Sequence, residues 1–559
     1  MKSTLRGRWR RQPEPAAPNV TYRARPYVCG AIGRFDEKRL DRLTAAAPTS
    51  VHQVHRSSTA VLFASAGLDP WTAGSDEGLF WNALAGHEAP MSWEVAAERR
   101  LAAGIRFTDR GATLHTDALG MQDLFTRRIG EALYFSIRID PLLRLDDAKL
   151  HIDWTGWANI LVVTAPLSDT TPFEEVRRVP AATAWHADDR GLHLTRFEPG
   201  WLSAEPDGAI TPGDVVATIG ACIPTEPSLA ITLSGGWDSR LLATLARRRS
   251  DLLVAWTTSD DDGRDRDFDL AGLVAETLDI EHHRFMPGPD AWLSELSPVR
   301  RRHDFLCPLH VWLMPLAREL HGRPETVLDG LGGALFKGVP EAVLATSDPA
   351  ERHRLHWAAL AQNRLKDPAK FAPGVAAEME ARSRASHEET VAGFDTHPAA
   401  PTLSNLHTRI ARSIALSPLR IMAPEVNVSV PLVHPDVVDA ALRVPLPDKS
   451  GGDFYRNMLL AADSHVARLP STNDGGPKGR RGPRRQSSPE TLAAMARTIA
   501  ASDTVVRLLG PELRHALDDP DVLHRLGATV HGHRLLNWAS LMAEWHTTYD
   551  DVLADDALW

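Results

Sequence analysis

The sequence predicts an α/β chain in two parts: an antiparallel β-rich unit, then a doubly wound parallel sheet closed by an α-rich lobe. Three observations carry this. From about residue 22 to 200, short alternating segments are separated by turn signals, over 27–33, 60–65, 105–108, 112–115, 132–139 and 191–197. That is the pattern of half-buried antiparallel strands. From about residue 201 the composition shifts to apolar runs at 229–233, 252–258, 282–285 and 326–328, interleaved with helical periodicity over 238–249 and 267–278. Strands separated by helices form a parallel sheet. Finally, two of these strands end in glycine-rich turns, Ser234-Gly235-Gly236 and Asp329-Gly330-Leu331-Gly332-Gly333. Open α/β sheets bind ligands at the C-terminal ends of their strands, so both turns are expected to face one ligand.

Taken in order, residues 1–21 are basic and proline-rich without the apolar core of a signal peptide, and read as a flexible, cytoplasmic lead-in. The β-rich domain then spans 22–200 and the α/β domain 201–559. Within the latter, Leu229 to Leu233 reads as a buried strand, and Asp238 to Arg249 as a helix with Leu241, Leu242 and Leu245 on one face. The turn between them sits at a helix N-terminus. Its glycines admit an anion close to the backbone, and the helix dipole attracts negative charge. Ser234 and Ser239 add hydroxyls. Asp238 would repel a polyphosphate unless a divalent cation lay between them, which assigns it to Mg2+. A plain glycine turn between strand and helix is the alternative.

Further on, residues 340–420 are helical in pattern. Glu425 is expected on a short strand whose Val426, Val428 and Val430 share one face. Residues 475–485 are basic and rich in glycine and proline, and read either as a solvated loop or as a lid over an anionic substrate. Helical patterns run from Pro489 to the C-terminus.

The 559-residue chain carries a formal charge of −10, which argues against a general nucleic-acid binder. No apolar run reaches the roughly 18–20 residues of a membrane helix. Three widely spaced cysteines, Cys29, Cys222 and Cys307, suggest neither a disulfide framework nor structural zinc.

Ser234-Gly-Gly-Trp-Asp-Ser239 resembles the pyrophosphate loop of ATP pyrophosphatases. The N-terminal unit resembles the glutaminase-like (Ntn-type) domain of the asparagine synthetase family. The matching features follow one another as Tyr27–Gly33, Asp117–Gly120, Ala132–Arg138 with Pro141–Leu143, and Thr171–Phe173 leading to Val179-Pro180. The resemblance implies an enzyme that uses ATP and Mg2+ to adenylate a carboxylate. It implies ATP held by Leu233, Ser234, Gly235, Gly236, Asp238, Ser239, Thr257, Gly330, Gly332, Arg456 and Lys478, with metal on Asp238 and Asp329. Glu425 and Arg456 take catalytic roles, as proton acceptor and phosphate clamp, with Lys449 as an alternative donor.

The chain departs from this family at two places. A glutaminase of this type needs its cysteine first in the chain, because the free α-amine serves as base, yet Cys29 has 28 residues ahead of it. In the second signature, Gly-x-Gly-x-Asp-Glu, the acids are replaced by Ala334 and Leu335, and Leu331 stands where asparagine- and β-lactam-forming relatives carry Glu or Tyr. Asp329 is then either a substitute ligand or a capping residue.

An intact pyrophosphate loop behind a glutaminase lacking its nucleophile resembles, most of all, the lasso peptide cyclases. These join the N-terminal amine of a core peptide to an Asp or Glu side chain. The expected partners are a precursor peptide, a leader protease and a leader-recognition protein, with no nucleic acid or membrane. A β-lactam-type or asparagine synthetase, or a catalytically inactive binding protein, are the alternatives. Trp237, one of 16 tryptophans, offers apolar surface to a threaded peptide or is simply a core aromatic.

Overall fold

A computed structural model describes residues 25–73, 76–84, 92–226, 228–259, 266–323, 325–337, 340–362, 364–474, 485–555 and 558. Residues 1–21, Lys478 and the basic segment 475–484 lie outside the described residues.

Among the described residues the N-terminal unit holds twelve strands: β1 (Val28–Gly33), β2 (His52–Arg56), β3 (Ala60–Ala64), β4 (Asp69–Ala73), β5 (Asp76–Trp81), β6 (Ala103–Thr108), β7 (Gly111–His115), β8 (Phe125–Ile129), β9 (Ala132–Ser136), β10 (Arg177–Arg178), β11 (Thr183–Asp188) and β12 (Gly191–Arg196). They form two six-stranded sheets, ordered β10-β8-β9-β1-β3-β2 and β12-β11-β7-β6-β5-β4. The pairings between these strands are antiparallel.

The two sheets share one core. Val28, Ile32, Leu62 and Phe135 of the first sheet are buried with Trp81, Ile105 and Leu114 of the second. Alternate residues of β1, Cys29 and Ala31, point the other way, into a core shared with the helix Trp154–Val162 and the C-terminal helix Val530–Thr548. A sheet covered on both faces needs apolar residues at both phases of its period, which is why β1 reads Val-Cys-Gly-Ala-Ile.

The second part contains β13 (Leu229–Thr232), β14 (Val254–Thr258), β15 (Glu281–Phe285), β16 (Thr326–Leu328) and β17 (Val428–Ser429). They form a parallel sheet in the order β15-β14-β13-β16-β17. Leu229 and Ile231 face one core while Ala230 between them faces the other, so helices cover both sides.

The strand expected through Val430 is shorter than predicted. β17 spans two residues, and Glu425 lies in the turn before it. The β-propensity of the alternating valines is overridden because this edge strand has one partner, β16, itself three residues long.

A buried ionic network joins the two parts. Asp123 pairs with Arg178 at 2.9 Å and accepts from Arg420, while Arg420 and Arg138 also hold Asp304 at 3.1 and 2.9 Å. Arg420 belongs to Ser417–Met422, which winds as a π-helix after a first such segment, Leu406–Ile414. Aromatic packing adds to the seam: Trp545 meets Trp157 and Phe173, each at 5.0 Å between ring centroids.

Candidate active site

The first turn is built as its residue types require. β13 passes into Leu233, whose N–H donates to Trp256 of β14 at 2.8 Å. The chain then turns through Ser234-Gly235-Gly236 into the helix Trp237–Arg247. Ser234 N–H donates to Ser239 Oγ at 3.0 Å and the two hydroxyl oxygens are also 3.0 Å apart, closing the turn on itself. Gly235 is required by crowding, since a Cβ there would lie 2.8 Å from Leu270 and 3.0 Å from Thr472.

Two donors of this cradle are met by acceptors that sequence reasoning missed. Gly235 N–H donates to Asp267 Oδ1 at 2.8 Å, and Trp237 N–H to Asn473 Oδ1 at 3.0 Å. Oxygens satisfying backbone donors at a helix N-terminus occupy the kind of place that phosphate oxygens take. Fully buried Arg240 ties the following segment down, donating to the carbonyls of Leu469 at 2.8 Å and Pro470 at 2.6 Å. Residues 471–474 are thereby held against the turn. Their Ser-Thr-Asn-Asp composition, a turn signal, was the available clue.

The second turn meets the first through its glycines. A Cβ on Gly333 would lie 2.1 Å from Asp238 Cγ, and one on Gly330 3.1 Å from Asp238 Cβ. The Asp238 carboxyl is therefore laid against bare backbone. Gly332 has φ +106°, a left-handed conformation in which a side chain would also strike the Leu432 carbonyl.

Asp329 Oδ1 accepts from Leu331 N–H at 2.8 Å, which closes a local side-chain turn; the 3-10 turn that follows, Gly333–Phe336, starts from Gly332 and has no side-chain cap. Burial pushes its carboxyl up to about 6, and the charge of Asp238 adds to the rise. Two carboxyls close enough to repel are also the setting in which a divalent cation is favoured. Mg2+ characteristically uses one or two protein carboxylates and takes its remaining ligands from phosphate and water. Asp238 and Asp329 fit that role.

Cations gather at the same place. Arg456, on the helix Asp453–Ala462, sits with its guanidinium 5.3 Å from the Trp237 ring centroid and pairs with Asp453 at 2.8 Å. On the same ring, Lys337 Nζ lies 5.5 Å from the centroid; it lies 4.6 Å from that of Tyr455 and 2.6 Å from Asp238 Oδ1. Trp237 stacks on Tyr455 at 5.6 Å. With Gly452 packed against the same ring, Trp237 is buried among groups of the protein itself.

Three expected site residues lie elsewhere or turn away. Thr257, at the end of β14, has its hydroxyl on Leu233 O at 2.7 Å and on His282 at 2.8 Å, so it braces the turn rather than facing a ligand. Glu425 is not brought to the turns. It precedes β17, near the N-terminal end of the sheet, with its carbonyl accepting from Gly322. Its carboxylate pairs with Arg302 at 2.6 Å and His321 at 2.7 Å. Burial raises its pKa, but these partners outweigh that and leave it below the usual range, which suits a fixed ion pair rather than a base. Lys449 is buried, donating to Ala441 O at 2.5 Å and Thr402 Oγ1 at 3.1 Å, and is spent on structure.

In the β-rich unit Cys29 lies inside β1, paired to β3 and β9, fully buried. Burial pushes its thiol up to about 12. Between the two parts runs a cleft of about 1020 Å³, bordered by Asn82, Arg99, Glu226, Asn427, Ser429 and His434.

A parallel sheet covered by helices on both sides, with glycine turns at the carboxyl ends of two strands, is the architecture of the doubly wound class, whose ligands sit at those ends. A family profile described as asparagine synthase matches residues 216–546, more than half of the chain. The chain belongs to that family, whose members are ATP-dependent carbon–nitrogen ligases that use ATP, generally with Mg2+. No curated protein sequence matched the chain.

Proposed function

We propose that this ligase is a macrolactam synthetase. It adenylates an Asp or Glu side chain of a precursor peptide and closes a ring with that peptide's own N-terminal amine, releasing AMP and pyrophosphate. The observation that carries this reading is the pairing of a strand–turn–helix cradle, whose backbone donors now rest on side-chain oxygens that a phosphate would displace, with a cysteine buried inside a strand. A ligase of this family without a working glutaminase takes its nitrogen as free ammonia or as an amine already in the substrate, and we favour the second.

Bound ATP supplies an electrophilic α-phosphorus and a pyrophosphate leaving group. The turn Ser234–Ser239 orients the pyrophosphate through backbone donors and hydroxyls, and Asp238 with Asp329 would hold Mg2+ beside it. Arg456 lies within reach to neutralise charge as pyrophosphate leaves. Glu425 being committed to Arg302 and His321, no side chain is assigned to take the proton from the amine. Ring closure between two groups of one held peptide draws a large part of its rate from proximity, which makes a strong base less necessary. Leu331 offers neither the Glu nor the Tyr of asparagine- and β-lactam-forming relatives. A leader protease and leader-recognition protein are the partners this reading expects.

The deciding experiment supplies candidate precursor peptides, their leader protease and Mg-ATP, and follows AMP, pyrophosphate and product mass. Loss of one water from the core peptide, abolished by Asp238→Ala, is expected. AMP formed with free aspartate and ammonia instead would return the chain to asparagine synthesis. The loss of acids at Ala334 and Leu335 favours a second reading, an inactive binding protein, for which no AMP forms with any substrate.

A further inference from the structure

Lys337 is the group at this site that the proposed function leaves unused. It follows the signature in which Ala334 and Leu335 replace the related family's acids, at the end of the 3-10 turn Gly333–Phe336. Its ammonium is delivered to Asp238 Oδ1 at 2.6 Å, its side chain only 17% exposed. The faces of Tyr455 and Trp237 flank it, and a cation packed on aromatic faces is held in place by the ring quadrupoles. Gly333 makes this possible, because any side chain there would push the Asp238 carboxyl away.

The charges balance. A carboxylate together with a divalent cation carries one net positive charge, and so does a lysine ammonium. With Ala334 in place of an acid, this turn has one carboxylate fewer with which to hold a cation, and Lys337 brings a positive charge to Asp238 instead. An ammonium has three donors, so it can keep Asp238 and still donate to a phosphate oxygen.

Resting on the reading of this site as an ATP site, we infer that Lys337 is a phosphate-binding residue that supplies the charge a second divalent cation would bring, so that nucleotide binds here with one metal ion. Asp238 is then shared between that metal and Lys337. The substrate class is unchanged.

The test needs no peptide. Binding of a non-hydrolysable ATP analogue is measured by calorimetry, and bound Mn2+ per analogue is counted by electron paramagnetic resonance. The wild type is expected to bind one Mn2+ per analogue. Lys337→Met is expected to weaken analogue binding by about tenfold or more, the scale of one hydrogen bond to a charged group. Lys337→Arg, which keeps the charge, stays closer to wild type and controls for folding. Ala334→Asp combined with Lys337→Leu is expected to take up a second Mn2+. Two Mn2+ in the wild type, or unchanged affinity in Lys337→Met, would overturn the inference while leaving the ATP site standing. Failure of the wild type to bind the analogue at all would instead sink the ATP reading and this inference with it.

Discussion

Gly333→Ala isolates the contact on which the site turns. Gly333 does not have a positive φ, so alanine is acceptable to the backbone. The added methyl carbon would stand 2.1 Å from Asp238 Cγ and 2.2 Å from Oδ1, where ordinary contact begins at 3.4 Å. The carboxyl must therefore retreat by roughly 1 Å, and Lys337 must follow or lose it. Misplacement on that scale costs about 100-fold in rate when a group must be held in register with the reacting atoms. The obstructed atoms are the end of one side chain, so the thermal midpoint should change little. The assay is peptide-dependent pyrophosphate release alongside calorimetric binding of the nucleotide analogue, with Asp238→Ala as reference. Near-wild-type turnover in Gly333→Ala, with Asp238→Ala inactive, would refute the claim that this glycine sets the working position of Asp238.

Other outcomes follow from buried charge. Burial lowers Lys449 from 10.5 to about 7, so between those values the unfolded chain binds more protons and stability rises with pH. Lys449→Met should flatten that slope in urea midpoints measured across the window, without abolishing nucleotide binding. Asp123 is raised by burial but lowered further by Arg178 and Arg420, so its contribution is present near neutrality and is lost as pH falls through its depressed folded-state pKa. Asp123→Ala strands two buried guanidinium groups and should cost about 3–5 kcal/mol in denaturant unfolding, with the gap from wild type narrowing in acid. Cys29, with its thiol up at about 12 and no exposure, should resist iodoacetamide in the folded protein. Cys29→Ser should leave amide formation unchanged, and a glutamine-dependent ammonia release that this substitution removes would contradict the loss of glutaminase function.

Much of the frame was legible because it is written in local patterns. The runs at 229–233 and 326–328 fall on β13 and β16, and the period of their flanking helices gave the doubly wound sheet. Strands without apolar alternation were not legible: β2, His-Gln-Val-His-Arg, is an edge strand of largely exposed residues, and β4 begins Asp-Pro. Glu425 misled for a related reason. Its valine neighbours suggested a longer strand, but whether that edge continues depends on the partner's length.

The sequence by itself determined the sheet class, the two glycine turns and the acid that follows the first of them, since backbone conformation and hydrophobic period are properties of neighbouring residues. The tertiary structure decided which distant side chains reach those turns. Lys337 on Asp238, Asn473 on Trp237 and Asp267 on Gly235 are separated along the chain by 99, 236 and 32 residues. Partnerships of that kind carry no periodic signal, because they are fixed only when the sheet, its helices and the segment held by Arg240 have packed.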